Sequence, residues 1–270
     1  MLALASTRSH TTISIISDIY SQFYAAFDRT FLVDDRYQIF LHGIRNTLII
    51  TAGALVVGVI IGVALAVAKV YYYQTGPFSY KESFKNFLKT KRPIFLGHIF
   101  QKLLDQLITC YLILFRGTPV VVQLMIWAFV VFSTTNELIV AILGFGINSG
   151  AYVAEIVRAG IMAVDKGQTE AGRSLGLSAW QTMWHIVLPQ AFKNVLPALG
   201  NELIALLKET SIVGYIAVVD LTKAAALVRA RTFDAFVPLL CVALAYLLMV
   251  FLLSIIQQFI EKRLQASDRR

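Results

Sequence analysis

The chain has 270 residues and a net charge of +8, with 57% hydrophobic and 15% charged side chains, where an average soluble domain carries roughly 25% charged residues. A small soluble enzyme, a disordered chain and a nucleic-acid-binding domain are excluded, because the basic residues sit in short stretches that flank long apolar runs. The fold class this predicts is all-α: a polytopic membrane protein of about five transmembrane helices, at about 20 residues per crossing.

Residues Met1 to Ser17 lack a charged start, a continuous apolar core and a small-residue cleavage site, so no removable signal peptide is expected. Ile16, Tyr20, Phe23 and Phe27 recur at helical intervals. Residues 1–39 are therefore expected to be an N-terminal segment that is either an interfacial amphipathic helix or a poorly ordered tail. The membrane domain is expected over 40–264. Its first span is the uncharged run Asn46 to Ala68, closed by the aromatic anchor Tyr71, Tyr72 and Tyr73.

Residues 70–104 then carry Lys81, Lys85, Lys89, Lys91, Arg92 and Lys102 against the single acid Glu82. The positive-inside rule places this loop in the cytoplasm, together with the C-terminal Lys262, Arg263, Arg269 and Arg270 and the tail 265–270. Five spans with an outside N-terminus satisfy both placements. The second span is expected from about Leu107 to Asn136. The third starts at Leu138 and continues through Glu155 and Arg158 to about Ala163. The fourth covers Ala191 to Val219, interrupted by Glu202, Lys208 and Glu209, and the fifth Ala235 to Ile260. Charges inside such spans cost about 2.5–3.5 kcal/mol each near the bilayer centre, so these helices should face protein or water. The segment around Lys223, Arg229 and Arg231 falls outside, against the rule. Cys110 and Cys241 lie in apolar stretches and behave as small hydrophobes, without a disulfide framework or metal motif.

Between the third and fourth spans lies EAGRSLGLSAWQTMWHIVLP, Glu170 to Pro189, too polar to stay in the membrane. Gly176 can supply a turn, Ser178 can N-cap a second helix from Ala179, and Pro189 should break or kink that helix. Two short helices joined in this way make a knob whose Trp180, Met183 and Trp184 can fill a groove on a partner, provided that it is rigid and closely packed at Gly176. Within it, GQTEAGRS (Gly167 to Ser174) is one residue from a phosphate-binding loop, with Arg173 in place of the lysine. A true phosphate loop follows a strand, whereas a helical span precedes this one. His10, His42, His98 and His185 are scattered, and no nucleophile–base arrangement stands out, so the chain is expected not to be an enzyme.

Glu170, Ala171, Gly176, Leu177 and the Ile186-Val187-Leu188-Pro189 ending resemble the "EAA" loop of permease subunits in ATP-binding cassette importers, with Gly172 in place of the second alanine. Phe115-Arg116-Gly117-Thr118-Pro119, the run Asn148 to Glu155 and the run Leu196 to Glu202 resemble the branch that carries histidine, glutamine or arginine, and the likeness extends from about Phe40 to Ile260. The basic loop after the first span is longer than the branch leads one to expect. The resemblance implies that this chain supplies half of a translocation pathway in the bacterial cytoplasmic membrane. Its implied partners are two cytoplasmic ATPases, a second permease that is a copy or a paralogue, and an extracytoplasmic amino-acid-binding protein. ATP and magnesium would be used by the ATPase, with no cofactor or metal on this chain. The coupling loop, about 167–190, would sit in a groove of the ATPase through Glu170, Ala171, Gly172, Gly176, Leu177 and Pro189.

Asn148, Tyr152 and Glu155 are spaced four and three residues apart and share one helix face. With Ser149 and Gly150 beside them they could meet a zwitterionic amino acid, the amides and hydroxyls bonding its polar ends and Glu155 attracting a cation. The competing possibility is structural: Glu155 and Arg158 neutralise each other at i, i+3 and Asn148 bridges helices. Thr118 and Gln123 are further path candidates by resemblance and polarity alone. An ion-coupled secondary transporter remains the alternative class, although no internal repeat supports it.

Overall fold

The computed structural model describes residues 20–74 and 94–268. Ile16, the lysine-rich stretch 81–92, Arg269 and Arg270 lie outside the described residues. Helix α1 covers residues 20–31; Ala26 and Thr30 are buried, while Tyr20, Phe23 and Tyr24 are exposed. A 3-10 turn at Val33–Asp35 follows, with Asp34 and Asp35 at φ 54° and 51°. Arg36 holds the corner by donating to the Arg29 carbonyl at 2.6 Å and pairing with Asp34 at 2.9 Å.

Helix α2, Tyr37–Gln74, is the first span, extended beyond the expected run at both ends. Its 38 residues reach about 57 Å at 1.5 Å per residue, longer than a hydrocarbon core of about 30 Å, so it projects beyond the bilayer. Helix α5, Glu137–Met162, packs along it and matches the third expected span. Glycines permit the close approach: a Cβ on Gly62 would lie 2.5 Å from Val153 Cβ, and one on Gly146 would lie 2.6 Å from Val57 Cβ. Without a hydrophobic driving force between helices in lipid, such small residues are what let two backbones pack.

The second span differs from expectation. Rather than one helix from Leu107 to Asn136, helix α3 runs over Ile94–Gly117 and stops. Helix α4, Val120–Ile126, prolonged by a π turn at Trp127–Val131, leaves at 108° to it. Pro119 is the cause, since it lacks the N–H that the last turn of α3 would need and disfavours helical backbone at Thr118 before it. The apolar composition on both sides concealed this break.

After α5 come α6, Lys166–Ser174, and α7, Ala179–Thr182. The expected break at Pro189 is absent: α7 passes through a π turn at Met183–Val187 straight into α8, Leu188–Glu209. The widened turn, in which Leu188 N–H bonds the Met183 carbonyl, shifts the hydrogen-bond ladder just where Pro189 has no donor to give. Helix α8 ends in a 3-10 stretch, Thr210–Ile216, and the chain bends by 49° into α9, Leu221–Thr232. Buried Asp220 caps α9 by accepting from Thr222 N and Lys223 N at 3.0 and 2.9 Å. Helix α10, Phe236–Asp268, contains the fifth span and exposes most of its large side chains.

Helices α2, α5 and α10 are long and apolar enough to cross a membrane, and the count reaches five if each bent pair is one span. The all-α, polytopic expectation is therefore borne out.

Candidate functional site

The break after α3 leaves helix-terminal carbonyls without intrahelical donors. Three expected path residues from three places in the chain satisfy them. Gln123 on α4 donates through Nε2 to the Phe115 carbonyl at 3.0 Å, the Thr118 carbonyl at 3.1 Å and Thr118 Oγ1 at 2.6 Å. Asn148 on α5 donates through Nδ2 to the same Phe115 carbonyl at 3.0 Å and to Gln123 Oε1 at 2.9 Å. Thr118 Oγ1 closes back on the Leu114 carbonyl at 2.8 Å. Asn148 and Gln123 are both buried, so the pair bolts α4 and α5 to the end of α3. Tyr111 adds a hydrogen bond to the Ile147 carbonyl.

Ser149, fully buried, turns away from this cluster and donates to Glu202 Oε1 on α8 at 2.7 Å. Tyr152 is exposed and carries the Arg116 guanidinium over its ring at 5.5 Å from the centroid. Glu155 pairs with Arg158, whose Nε lies 3.2 Å from Oε2. The face Asn148–Tyr152–Glu155 thus divides into a buried bolt and an accessible charged end. Arg116 and Glu202 were visible in the sequence as charges within apolar runs; their partners, in other helices, were not.

The hairpin α6–α7 is built by local bonds. Asp165 caps α6 by accepting from Gly167 N at 2.6 Å. At the other end, Leu177 N–H reaches the Gly172 carbonyl and Gly176 N–H the Arg173 carbonyl, both at 3.1 Å, the paired closure of a Schellman turn. Gly176 takes φ +86°, as that turn requires. Ser178 and Gln181 then form a reciprocal capping box, with bonds of 2.8 and 3.2 Å.

The expected close packing at Gly176 is not found among the described residues of this chain: a Cβ there would meet nothing within 4 Å beyond its chain neighbours. The packed glycine is Gly172, where a Cβ would lie 2.8 Å from Thr182 Cγ2 and 2.9 Å from Ile186 Cδ1. Gly176 is needed for its backbone and Gly172 for its missing side chain. Glu170, Ala171, Leu175, Trp180 and Trp184 are all exposed, and the two indoles meet edge to face at 5.4 Å. Beneath them a groove of about 400 Å³ runs between Val63, Val67, Val157, Ile161 and the two tryptophans. Gly167 to Ser174 lies in α6, preceded by helix α5 rather than a strand, so the phosphate-loop likeness has no structural basis.

Residues 93–266 match the family of binding-protein-dependent transport system inner membrane components. The arginine transport system permease protein ArtQ of Bacillus subtilis (strain 168) is 34% identical over 232 residues, covering 84% of this chain and 93% of that protein. A putative glutamine transport system permease protein, GlnP of Rickettsia bellii (strain RML369-C), is 42% identical over 161 residues, 58% of this chain and 74% of its own length. Among solved structures, an amino acid ABC transporter crystallised with histidines superposes with a TM-score of 0.70 at 34% identity, covering 86% of this chain and 98% of that one. The MetNI methionine transporter, inward facing, shares the fold at a TM-score of 0.65 and 19% identity, over 84% and 97% of the two chains. The resemblance drawn from four motifs is borne out.

Proposed function

This chain belongs to the family of binding-protein-dependent transport system inner membrane components, and we propose that it is the permease subunit of an ATP-driven importer of amino acids. The observation that carries the reading is the α6–α7 hairpin: a rigid, doubly capped knob between two spans, with exposed tryptophans and an exposed glutamate, suited to a groove on a cytoplasmic ATPase. Because α7 continues through the π turn into α8, a push on the knob passes into a spanning helix without a hinge at Pro189. The ATPase would bind ATP and magnesium, a second copy or a paralogue would complete the pathway, and an extracytoplasmic binding protein would deliver the amino acid. In this scheme residues 1–39 flank the permease domain at 40–264, and 265–270 form a cytoplasmic tail.

The path residues take two roles. Asn148, Thr118 and Gln123 hold the broken helix that walls the path, with Ser149 behind them on Glu202; Tyr152, Arg116 and the Glu155–Arg158 pair form its accessible end. A partly exposed ion pair is worth about 0–1 kcal/mol. Glu155→Gln is therefore expected to lower uptake modestly, equally for cationic and neutral amino acids, with partial recovery on adding Arg158→Gln. A loss confined to cationic substrates, unrelieved by the second change, would instead put Glu155 in contact with the cargo.

Co-purification tests the assignment. The permease should elute with an ATPase whose hydrolysis rises on adding loaded binding protein, whereas transport by the chain purified free of any ATPase would sink the reading in favour of an ion-coupled carrier. Orientation is checked separately: in a chain lacking Cys110 and Cys241, a cysteine at exposed Thr134 should react with an impermeant thiol reagent in intact cells and one at exposed Gln181 should not. Labelling at 181 from outside contradicts ATPase docking.

A further inference from the structure

The groove beneath Trp180 and Trp184 is walled by three separate parts of the chain. Helix α2 gives Val63, Val67 and Val70, α5 gives Val157 and Ile161 as the floor, and the two indoles close the third side. Val157 and Ile161 belong to a buried cluster with Ala66 and Val187, against which Val70 and Met183 pack, so the floor is fixed. Val63 and Val67 fall within the uncharged run that ends at Ala68. The groove therefore starts inside the hydrocarbon and runs toward the membrane surface, where tryptophan concentrates.

Its size and lining select the occupant. From Val63 to Val70 it follows α2 for about 10 Å at 1.5 Å per residue, about two-thirds of one leaflet of a core about 30 Å thick. Spread over that length, about 400 Å³ leaves a cross-section of about 40 Å². That admits a hydrocarbon chain and is too narrow for a helix about 10–12 Å across. Apart from the indole N–H groups and the weak Met183 sulfur, no lining side chain can hydrogen-bond. An extended polypeptide would leave its amides unpaired there, whereas hydrocarbon has none to satisfy. The groove also continues an apolar ridge of α2. Val56, Ile60, Val63 and Val67 follow one another at four, three and four residues on one helix face, and all are exposed, Val56 and Ile60 by 58% and 66%.

The geometry points to a binding site for a phospholipid acyl chain, which enters beside Val70, lies on Val157 and Ile161 beneath the indoles, and ends near Val63. Through that chain the α6–α7 hairpin rests on α2 and α5. Glu170, Ala171 and Leu175 do not line the groove and keep the surface offered to the ATPase. The inference needs the hairpin to stand at a membrane surface, and so it rests on the permease reading.

The test is photo-crosslinking of the complete transport complex in vesicles that contain phosphatidylethanolamine with a diazirine midway along one acyl chain. After extraction and washing in detergent, illumination should place adducts on Trp180, Met183 or Trp184 and few on Phe251 and Leu252, exposed residues of α10 that meet only bulk lipid. Val67→Phe, which fills the groove from α2, should lower the groove adducts about tenfold, the factor expected when about two methylenes lose their contact. Val63→Phe should do the same from the inner end. If neither variant accumulates, the wild-type pattern decides. Groove adducts that wash away as readily as those on α10, or that survive both substitutions undiminished, overturn the site. So does a groove without adducts before washing, which would mean that a second permease, the ATPase or another stretch of this chain covers it. Labelling of position 181 from outside the cell removes the permease reading and leaves the groove adducts to be judged on the same terms.

Discussion

Gly176→Asp is expected to leave the permease in the membrane at wild-type levels and to abolish substrate-stimulated ATP hydrolysis. The reason is the Schellman turn. At φ +86° a side chain is strained, by about 1–2 kcal/mol for a residue forced into left-handed backbone, and relief would re-aim α7 relative to α6. Among the described residues, none beyond its chain neighbours stands within 4 Å of the added Cβ, so the spans and the rest of the hairpin have no reason to unfold. The damage falls on the surface proposed to meet an ATPase, where a carboxylate next to exposed Leu175 would oppose a dry contact. Gly172→Val should reach the same loss of transport by another route. Its branched side chain would drive into Thr182 and Ile186, separating the two helices from within, so the hairpin itself should become protease-sensitive. Normal uptake by Gly176→Asp protein at wild-type abundance would remove the hairpin from the coupling path. Protease resistance of Gly172→Val equal to wild type would contradict the packing described for it.

The parts of this fold that the sequence made legible are those decided within a few residues. Long apolar runs gave α2, α5 and α10, and the Gly176, Ser178 and Gln181 positions gave the turn and the capping box, because hydropathy and local hydrogen bonds need no distant partner. The two prolines behaved oppositely for a reason that local pattern cannot show. Pro119 ends a helix because Gln123 and Asn148 are at hand to bind the freed carbonyls, whereas Pro189 is absorbed by a π turn that Val187 buries against the third and fourth spans. Likewise Asn148, Tyr152 and Glu155 all lie on α5 at helical spacing. Which of them would be spent on structure depended on contacts 25 and 33 residues away, to Gln123 and Phe115. Ser149 and Glu202, 53 residues apart, pair only because α8 crosses α5 at that height.

Asn148→Asp should therefore be the most damaging single change along the path. In the wild type the Asn148 amide gives both its hydrogens to oxygens, the Phe115 carbonyl and Gln123 Oε1. An aspartate of the same shape replaces that donor with an acceptor aimed at two acceptors inside a buried site. Gln123 cannot relieve the conflict by flipping, because its own nitrogen is bonded to the Phe115 and Thr118 carbonyls and to Thr118 Oγ1. A buried polar group stripped of its partner costs about 1–3 kcal/mol, and more when charged, so α4 and α5 should come away from the end of α3, with lower thermal stability in detergent and no uptake. Asn148→Leu should do less, orphaning only Gln123 Oε1, since the Phe115 carbonyl keeps its bond from Gln123 Nε2. Adding Gln123→Leu to Asn148→Leu should then cost less stability than the two single losses summed, the coupling expected of side chains that touch each other. The stability measurement separates the two roles open to Asn148. A bridge lowers the unfolding midpoint and uptake together, whereas loss of uptake by Asn148→Leu protein as stable as wild type would mean that the amide meets the cargo instead of the helix end.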